Sequence, residues 1–200
     1  MPTSPTPFDY TNSVPKRLTT AVILAAGGSV RMGHPKPLLL VDGEPLILHH
    51  IRALSRICDA VVVVLGCGAS DLRAVLPASV QVVINTDWKT TWPADSLRLA
   101  LVEADLVGPC WVTPVDVPPA APDTLRRMVG AGAPAVPVDR HGQPGHPVLL
   151  DDPMVKSIRR QAPAGGLRTL IASAPRIEVD ATDVSQDFDD PEAFEAWGGG

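Results

Sequence analysis

The residues best suited to chemistry in this chain stand in one short segment, LAAGGSVRMGHPKPLL, at residues 24–39. Gly27 and Gly28 permit a positive φ and let a ligand approach the backbone closely. Successive N–H groups in such a turn form a concavity that binds anions. Arg31 and Lys36 add two cations, and the stretch that leads to Lys36 can span at most about 23–25 Å, enough to curl around a triphosphate. The segment therefore predicts a phosphate-binding loop.

Two familiar glycine-rich phosphate motifs do not match this loop. From Gly28 the spacing of a P-loop reaches Gly33, but the next residue is His34 where that motif requires lysine. The dinucleotide-binding pattern G-x-G-x-x-G is also absent from the segment. Phosphate recognition here would use another type of loop, and the alternative is a glycine-rich surface loop whose charges are solvated.

The strand that precedes the loop is the first of several apolar segments that alternate with helical ones. The predicted strands span residues 20–26, 59–66, 81–84, 110–115, 134–138, 146–150 and 176–180. The predicted helices span residues 45–57, 69–76, 95–105, 122–130, 152–161, 165–173 and 190–197. This alternation favours a mostly parallel sheet covered on both faces, an α/β Rossmann-like three-layer sandwich. Ligands bind beyond the carboxyl ends of such strands, where the loop of residues 27–37 follows its strand.

Composition and charge limit the partners and the location that we expect. A net charge of −5 with no basic stretch argues against a nucleic-acid partner. No apolar run reaches the roughly 18 residues of a membrane span, the first residues do not resemble a signal peptide, and three scattered cysteines fit neither a disulfide framework nor a zinc site. We expect a cytoplasmic protein with a flexible N-terminal tail at residues 1–17 and one domain at residues 18–197, in an oligomeric state that the sequence does not indicate.

Residues 24–39 resemble the signature L-A-A-G-x-S-x-R-M-G-x-x-K-x-L-L of the nucleotidyltransferase superfamily with a single Rossmann-like domain. The Pro-Leu-Leu that follows Lys36 is more similar to the molybdenum cofactor cytidylyltransferases than to the guanylyl branch. The resemblance implies transfer of CMP from CTP to a phosphate-bearing acceptor, molybdopterin or molybdenum cofactor, with release of pyrophosphate. It implies nucleotide-binding roles for these residues: Leu24, Ala25, Ala26, Gly27, Gly28, Ser29, Arg31 and Lys36.

The same resemblance implies catalytic roles for Arg31, Lys36 and Asp116 and a Mg²⁺ cofactor. Asp116, in PVDVP, is similar to the metal-binding aspartate of the family's D-x-P motif. DFDDPEAF at 187–194 resembles D-x-D-T-P-E-D-L, which makes Asp189, or else Asp187, the second metal ligand. Structural alternatives remain open, because Asp116 could be a turn former and the aspartates before Pro191 could start a helix.

A third landmark concerns the acceptor. GQPGHPVLL at 142–150 resembles the family's G-H-P-V segment, which lines the acceptor site and implies acceptor-binding roles for Gly145 and His146. His146 could equally be a structural histidine. His49 and His50 lie in a predicted helix and are assigned structural or exposed positions.

The segment at residues 85–97, NTDWKTTWPADSL, departs from the family's N-P-x-W-x-x-G-M-S-S-S-L. We assign Trp92 and Ser96 to acceptor binding. Pro93 should hold Trp92 in an extended conformation, and Asp95 could either face a ligand or cap a helix that begins near Ser96. We expect this segment to reshape the acceptor pocket without touching the nucleotide side.

Two other functions remain possible at this point. One keeps the chemistry and replaces the acceptor by a sugar phosphate or a polyol phosphate. The other is a nucleotide-binding relative without turnover, against which the retained Arg31, Lys36 and Asp116 count, because a binder needs no metal carboxylate.

Overall fold

The structure is a computed structural model that describes residues 19–29, 32–181 and 184–197. The predicted N-terminal tail at residues 1–17 lies outside the described residues, and so does Arg31. The roles assigned to Arg31 therefore remain predictions from sequence.

Seventeen elements follow one another along the described residues. The strands are β1 (Thr20–Ala25), β2 (Leu40–Val41), β3 (Glu44–Pro45), β4 (Ala60–Leu65), β5 (Gln81–Ile84), β6 (Cys110–Pro114), β7 (Val136–Val138), β8 (Val148–Leu150) and β9 (Arg176–Glu178). The helices are α1 (Leu46–Leu54), α2 (Ala69–Val75), α3 (Pro93–Glu103), α4 (Pro122–Ala131), α5 (Asp152–Arg160), α6 (Gly166–Leu170) and α7 (Pro191–Trp197), with a 3₁₀ helix at Lys36–Leu38.

The central sheet has five strands in the order β5-β4-β1-β6-β8. β1 pairs in parallel with both β4 and β6, and β4 pairs in parallel with β5. The predicted α/β class with a mostly parallel sheet is thus confirmed. Because β1, β4, β5 and β6 run in the same direction, the loops that follow them meet at one edge of the sheet, and this places their residues within reach of a common ligand.

The core lies on both faces of this sheet. Consecutive β1 residues, Val22 and Ile23, are fully buried on opposite faces, as the alternation of side chains along a strand requires. One face packs against α1 and α4, and the other packs against α3 and α5. A sheet that is apolar on both faces and covered by helices forms the three-layer sandwich expected from the sequence.

Several predicted elements differ from the structure. The strand predicted at 146–150 is β8, and it pairs antiparallel with β6. The strands predicted at 134–138 and 176–180 are β7 and β9, which pair with each other in a separate two-stranded sheet. The β2–β3 hairpin was not predicted, since strands of two residues carry no detectable periodicity. No helix of the described residues is long and apolar enough to cross a bilayer.

Candidate active site

The loop after β1 leaves its backbone open to a ligand. A Cβ placed on Gly27 would meet no atom within 4 Å, so this glycine faces free space. The turn itself does not use the conformational freedom of Gly27, because the positive φ values lie at Ser29 (49°) and Gly33 (67°). A positive φ is uncommon at serine, and the strain is retained in a loop that faces a cavity. Gly28 lies between Gly27 and Ser29 in the same loop.

A side-chain hydrogen bond closes this loop. The Lys36 backbone N–H donates to Ser29 Oγ at 2.9 Å, and the Met32 N–H donates to the Ser29 carbonyl at 3.0 Å. Pro37, which follows Lys36 in the 3₁₀ helix, is buried. The backbone of Lys36 is therefore held in place from both sides, so its side chain projects from a fixed point.

The ammonium group of Lys36 lies between two carboxylates. Lys36 Nζ is 3.0 Å from Asp116 Oδ2 and 3.6 Å from Asp189 Oδ1. The lysine side chain is only 11% exposed. Three segments that are far apart in sequence thus bring together the residues predicted as catalytic lysine and as the two metal ligands.

Asp116 and Asp189 are brought together by a backbone contact between their segments. The Phe188 N–H donates to the Asp116 carbonyl at 2.7 Å. The Phe188 ring is buried and packs edge to face on Phe194 of α7, with ring centroids 5.2 Å apart. Burial of an aromatic ring beside Asp189 therefore determines where that carboxylate lies.

The three aspartates before α7, Asp187, Asp189 and Asp190, have different surroundings. The side chain of Asp190 accepts a hydrogen bond from the Ala193 N–H at 2.9 Å, so Asp190 caps α7. Asp189 faces Lys36. Burial raises the pKa of Asp187, and the nearby carboxylates of Asp116 and Asp189 add to this, while Lys36 and Arg168 oppose it. The helix-start interpretation thus holds for Asp190, and the metal role of Asp189 stays a prediction.

The donor set fits a hard divalent cation that keeps part of its hydration shell. Asp116 and Asp189 supply two carboxylates at one point. Within the described ranges, no group of three or more His, Cys, Asp or Glu side chains is arranged to hold a metal ion. Mg²⁺ is commonly bound by one or two carboxylates, substrate phosphates and waters. Two carboxylates beside the loop predicted to bind phosphate match that pattern.

A cavity of about 290 Å³ opens above these groups. Its walls include Lys36, Asp116 and Asp189, and also the predicted nucleotide-binding residues Leu24, Ala25, Ala26, Gly27 and Ser29. The opposite wall is formed by the segment after β5, through Trp88, Thr91, Trp92 and Ser96. The expectation that this segment would stay away from the nucleotide side is therefore wrong, because the ends of β1 and β5 meet at the same edge of the sheet.

A buried amide organises the segment after β5. Asn85 is 4% exposed, and its Nδ2 donates to Thr91 Oγ1 and to Ser96 Oγ, both at 2.9 Å. Asn85 Oδ1 accepts from the Asp87 N–H at 3.0 Å. The buried hydroxyl of Ser96 thus has a structural partner, Asn85. Ser96 also lines this cavity, and its acceptor-binding role stays a prediction.

Helix α3 begins earlier than predicted. Pro93 occupies the first helical position, where its fixed φ and missing N–H are tolerated. Asp95 is the third helical residue, and its Oδ2 accepts from the Trp92 N–H at 2.8 Å, so it does not cap a helix beginning at Ser96. Trp92 itself is extended, as expected, and 77% exposed. Its indole stands at the rim between two cavities.

The second cavity has a volume of about 710 Å³ and shares Leu24, Trp92, Pro93 and Pro114 with the first. Gly145 and His146, the predicted acceptor residues, both line it. A Cβ on Gly145 would lie 1.9 Å from the Val184 carbonyl oxygen, so close backbone packing also requires glycine at this position. His146 Nδ1 is buried without a hydrogen-bond partner. Burial lowers the pKa of His146 to about 4, against an opposing effect of Asp116.

Sequence analysis missed Arg168. This residue belongs to α6 and lines the second cavity. Among the described residues of that lining, Arg168 is the cation, and the other wall residues are mostly apolar or glycine. An arginine in a short, weakly periodic segment carries no signal of its own, and only the folded structure brings it to the cavity.

The structural position predicted for His50 is confirmed. It is 1% exposed in α1, and its Nε2 lies 3.0 Å from the Val117 carbonyl oxygen. Because a carbonyl only accepts, the neutral imidazole donates from Nε2 here. Burial lowers the pKa of His50 to about 4, although the backbone carbonyls of Val117 and Val115 oppose the shift. His50 therefore fixes the backbone immediately after Asp116.

Gly66 is another residue whose importance appears only in the structure. It follows β4, and a Cβ there would lie 2.6 Å from the Ala26 carbonyl oxygen and 2.8 Å from Trp88 Cβ. The loops after β1 and β5 approach each other across this glycine. A neighbouring contact, from the Cys67 N–H to the Ala26 carbonyl at 3.1 Å, holds the first loop against β4.

Comparison with known proteins identifies similar chains. The protein is 31% identical over 191 residues to the 2-C-methyl-D-erythritol 4-phosphate cytidylyltransferase of Streptomyces coelicolor. The alignment covers 86% of this chain and 64% of that relative. The chain thus spans slightly less than two thirds of that relative's length. It is 24% identical over 178 residues to the molybdenum cofactor cytidylyltransferase of Escherichia coli, covering 86% of this chain and 92% of the relative.

Among solved structures, the manganese complex of Rv0371c from Mycobacterium tuberculosis is similar, with a TM-score of 0.73 and 26% identity. That match covers 90% of this chain and 97% of the other. A profile for the MobA-like NTP transferase domain matches residues 21–179, which include β1, its loop and Asp116. From this match and the arrangement described above, we conclude that the chain belongs to the MobA-like NTP transferase domain family.

Proposed function

We propose that this protein is a Mg²⁺-dependent nucleotidyltransferase that transfers CMP from CTP to the phosphate group of an acceptor, molybdopterin or molybdenum cofactor, and releases pyrophosphate. One observation carries the proposal. Lys36 contacts both Asp116 and Asp189 at the open edge of the sheet, and it lines one cavity together with Leu24–Gly27 and Ser29 of its own segment. The family to which the chain belongs is consistent with this chemistry.

The reaction joins the acceptor phosphate to the α-phosphorus of the triphosphate. An oxygen of the acceptor phosphate attacks the α-phosphorus, the bond from that phosphorus to the α–β bridging oxygen breaks, and pyrophosphate leaves with the bonding electrons. A phosphate monoester has its second pKa near 6, so its oxygens are ionised near neutral pH. The site therefore needs no protein base, and its task is to position the reactants and to neutralise charge.

The residues around the first cavity divide this task. The backbone of Leu24–Ser29 would hold the nucleotide, and Lys36 would stabilise charge that develops at the α-phosphate. Arg31 is proposed from the sequence to hold the leaving pyrophosphate. A divalent metal held by Asp116 and Asp189 would neutralise the phosphate oxygens and reduce their repulsion. Fixed backbone around Lys36 and Asp116 keeps these groups oriented before substrate arrives.

Two kinds of observation support CTP as the donor. The Pro-Leu-Leu that follows Lys36 resembles the cytidylyl branch. The relatives from Streptomyces coelicolor and Escherichia coli are both named cytidylyltransferases. A guanylyltransferase is also among the relatives, which makes the choice between CTP and GTP a matter for direct measurement.

The second cavity favours a flat, partly apolar acceptor over a polyol. Its walls include Pro144, Ala162, Pro163, Leu167 and Ile171, which offer no side-chain partners to a chain of hydroxyl groups. Burying hydroxyl groups without partners is costly. A volume of about 710 Å³ lies within the range of small-molecule sites.

Polar recognition in this cavity would come from a few groups. Trp92 can stack on a planar ring, and His146 lines the same cavity. Gly145 allows close approach of the neighbouring backbone. Arg168 would bind the acceptor phosphate. The polyol phosphate acceptor of the Streptomyces coelicolor relative is the alternative that this cavity fits less well.

The test is to incubate the protein with each of CTP, GTP and ATP, with either molybdopterin or 2-C-methyl-D-erythritol 4-phosphate, in Mg²⁺, and to measure pyrophosphate release. We expect release with CTP and molybdopterin. Equal or faster release with GTP would place the protein in the guanylyl branch, and release with the polyol phosphate would contradict the proposed acceptor. Triphosphate binding without release in any combination would favour a non-catalytic binder.

A further inference from the structure

Lys36 occupies the point at which a metal ion would be bound. Its ammonium group contacts one oxygen from each of the two candidate metal ligands, at 3.0 Å from Asp116 and 3.6 Å from Asp189. With 11% of its side chain exposed, the lysine is enclosed at this point. A protein without nucleotide therefore already has a cation between its metal carboxylates.

An ammonium group and a divalent cation would compete for these two carboxylates. Two like charges at this separation repel each other, and the repulsion is twice as large for a divalent ion as for a monovalent one. Metal binding therefore requires the Lys36 side chain to leave. The backbone of Lys36 is fixed by Ser29, so the movement is confined to the flexible four-carbon side chain.

A triphosphate supplies the place to which Lys36 can move. The loop of Leu24–Ser29 and Lys36 line the same cavity, so phosphate oxygens bound there would lie within reach of the ammonium group. Lys36 would then exchange its contacts with the carboxylates for contacts with phosphate, and the metal would take its place between Asp116 and Asp189.

We propose that Lys36 is the resident counter-cation of Asp116 and Asp189, so that the nucleotide-free protein binds divalent metal weakly and the triphosphate and the metal bind cooperatively. This inference rests on the proposed function for the identity of the triphosphate, but its first consequence concerns the protein alone. Removing the positive charge of Lys36 should strengthen metal binding when no nucleotide is present. Because coupling between two ligands is reciprocal, the metal should tighten triphosphate binding by the same factor by which the triphosphate tightens metal binding.

The experiment is a titration of the full chain with Mn²⁺, in which electron paramagnetic resonance measures the free ion. We expect Lys36→Met to bind Mn²⁺ at least about tenfold more tightly than the natural protein in the absence of nucleotide, within the usual range of coupling between sites. Lys36→Arg keeps the charge and should bind Mn²⁺ as weakly as the natural protein. Lys156→Met is the matched control, since Lys156 also forms an ion pair with an aspartate, Asp152, but lies on α5.

A double variant tests whether the gain in Mn²⁺ affinity arises at Asp116. Adding Asp116→Asn to Lys36→Met should abolish the gain. Unchanged or weaker Mn²⁺ binding by Lys36→Met, with its circular dichroism and thermal transition preserved, would overturn the inference. So would a gain that survives Asp116→Asn.

The titration is then repeated with a CTP analogue that carries a methylene group between its α- and β-phosphates. In the natural protein the analogue should tighten Mn²⁺ binding, and in Lys36→Met this coupling should shrink. If the analogue fails to bind while Lys36→Met still tightens Mn²⁺, the proposed function fails and the counter-cation role of Lys36 stands. If turnover occurs but Mn²⁺ affinity does not respond to Lys36→Met, the inference fails alone.

Discussion

The role of each aspartate in this site depends on the groups around its side chain, as the two aspartates that precede α7 illustrate. Asp189 faces Lys36, whereas the side chain of Asp190 caps the helix. Two adjacent residues of the same type thus have different tasks, and charge-removing substitutions can separate them.

Removing the carboxylate charge of Asp116 should abolish most activity. Asp116→Asn keeps the size of the side chain, and we expect Mg²⁺-dependent turnover to fall by at least about 10²-fold, as when one essential electrostatic contact is lost. Asp189→Asn should have a similar effect. Steady-state pyrophosphate release measures both.

The adjacent aspartate provides the control for this experiment. Asp190→Asn removes the same charge one residue away, and asparagine remains a good N-cap, so its turnover should stay near that of the natural protein. A near-normal rate in Asp116→Asn would refute its metal role. An equal loss in Asp190→Asn would show a non-specific effect of net charge.

Arg168 offers a prediction specific to the acceptor side. Because this arginine lines the second cavity and charge-assisted hydrogen bonds contribute about 1.5–3 kcal/mol, Arg168→Met should raise the KM for the phosphorylated acceptor at least about tenfold. The KM for the triphosphate should not change. Arg160→Met, at the exposed end of α5, should leave both constants as they are. A change in the triphosphate KM alone would remove Arg168 from the acceptor site.

The decisive feature at the element scale is how closely the ends of neighbouring strands approach. β4 lies between β1 and β5, and the loops that follow these outer two strands form opposite walls of the first cavity. The two loops can approach each other because the residue that follows β4, Gly66, has no side chain. The width of the cavity therefore depends on Gly66.

Gly66→Ala should separate these two loops. The added methyl group would clash with the Ala26 carbonyl and with Trp88, and such overpacking costs about 1–3 kcal/mol. We expect a lower thermal transition temperature and a higher KM for the triphosphate. Gly130→Ala is the control, because Gly130 lies in α4 with free space around it, and alanine there should be neutral or slightly stabilising. Equal behaviour of the two variants would show that Gly66 does not set the width of the cavity.

At the scale of the whole molecule, buried histidines couple the stability of the fold to pH. The pKa of His50 is lowered to about 4 and that of His146 to about 4, both chiefly by burial. The unfolded chain, with histidine pKa values near 6.5, therefore binds more protons than the folded protein between these limits. Proton binding by the unfolded chain therefore lowers the free energy of unfolding as the pH falls from about 6.5 towards 4, and above about pH 6.5 these histidines cause no such loss.

When the pH is lowered from 7.5 to 5, we expect the contribution of His50 to reduce the free energy of unfolding by about 2 kcal/mol. His146 should contribute with the same sign. The raised pKa of Asp187 opposes this trend, so a variant is needed to isolate the histidine. His50→Gln can still donate to the Val117 carbonyl but does not titrate, and its loss of stability over this range should be smaller. Urea unfolding at the two pH values measures the difference, and equal losses would exclude His50 as a source of the pH dependence.

The fold class, the family and the residues next to each strand of the parallel sheet could be predicted from the residue pattern alone. The alternation of apolar strands with helices predicts a covered parallel sheet, and strands that run in the same direction must end at the same edge. The loop after β1 and Asp116 after β6 were therefore predictable as neighbours, because each lies within a few residues of a strand end.

The distant segments that complete the site could be identified only in the folded protein. Arg168, His50 and Gly66 reach it through packing between elements, which depends on side-chain contacts far apart in the chain and leaves no local pattern. The antiparallel pairing of β8 and the separate pairing of β7 with β9 also depend on tertiary packing, because the two-residue alternation of a strand indicates neither its direction in the sheet nor its neighbour. The contact of Lys36 with both carboxylates likewise depends on the Phe188 ring being buried in the core beside Asp189, an outcome of packing and not of sequence spacing.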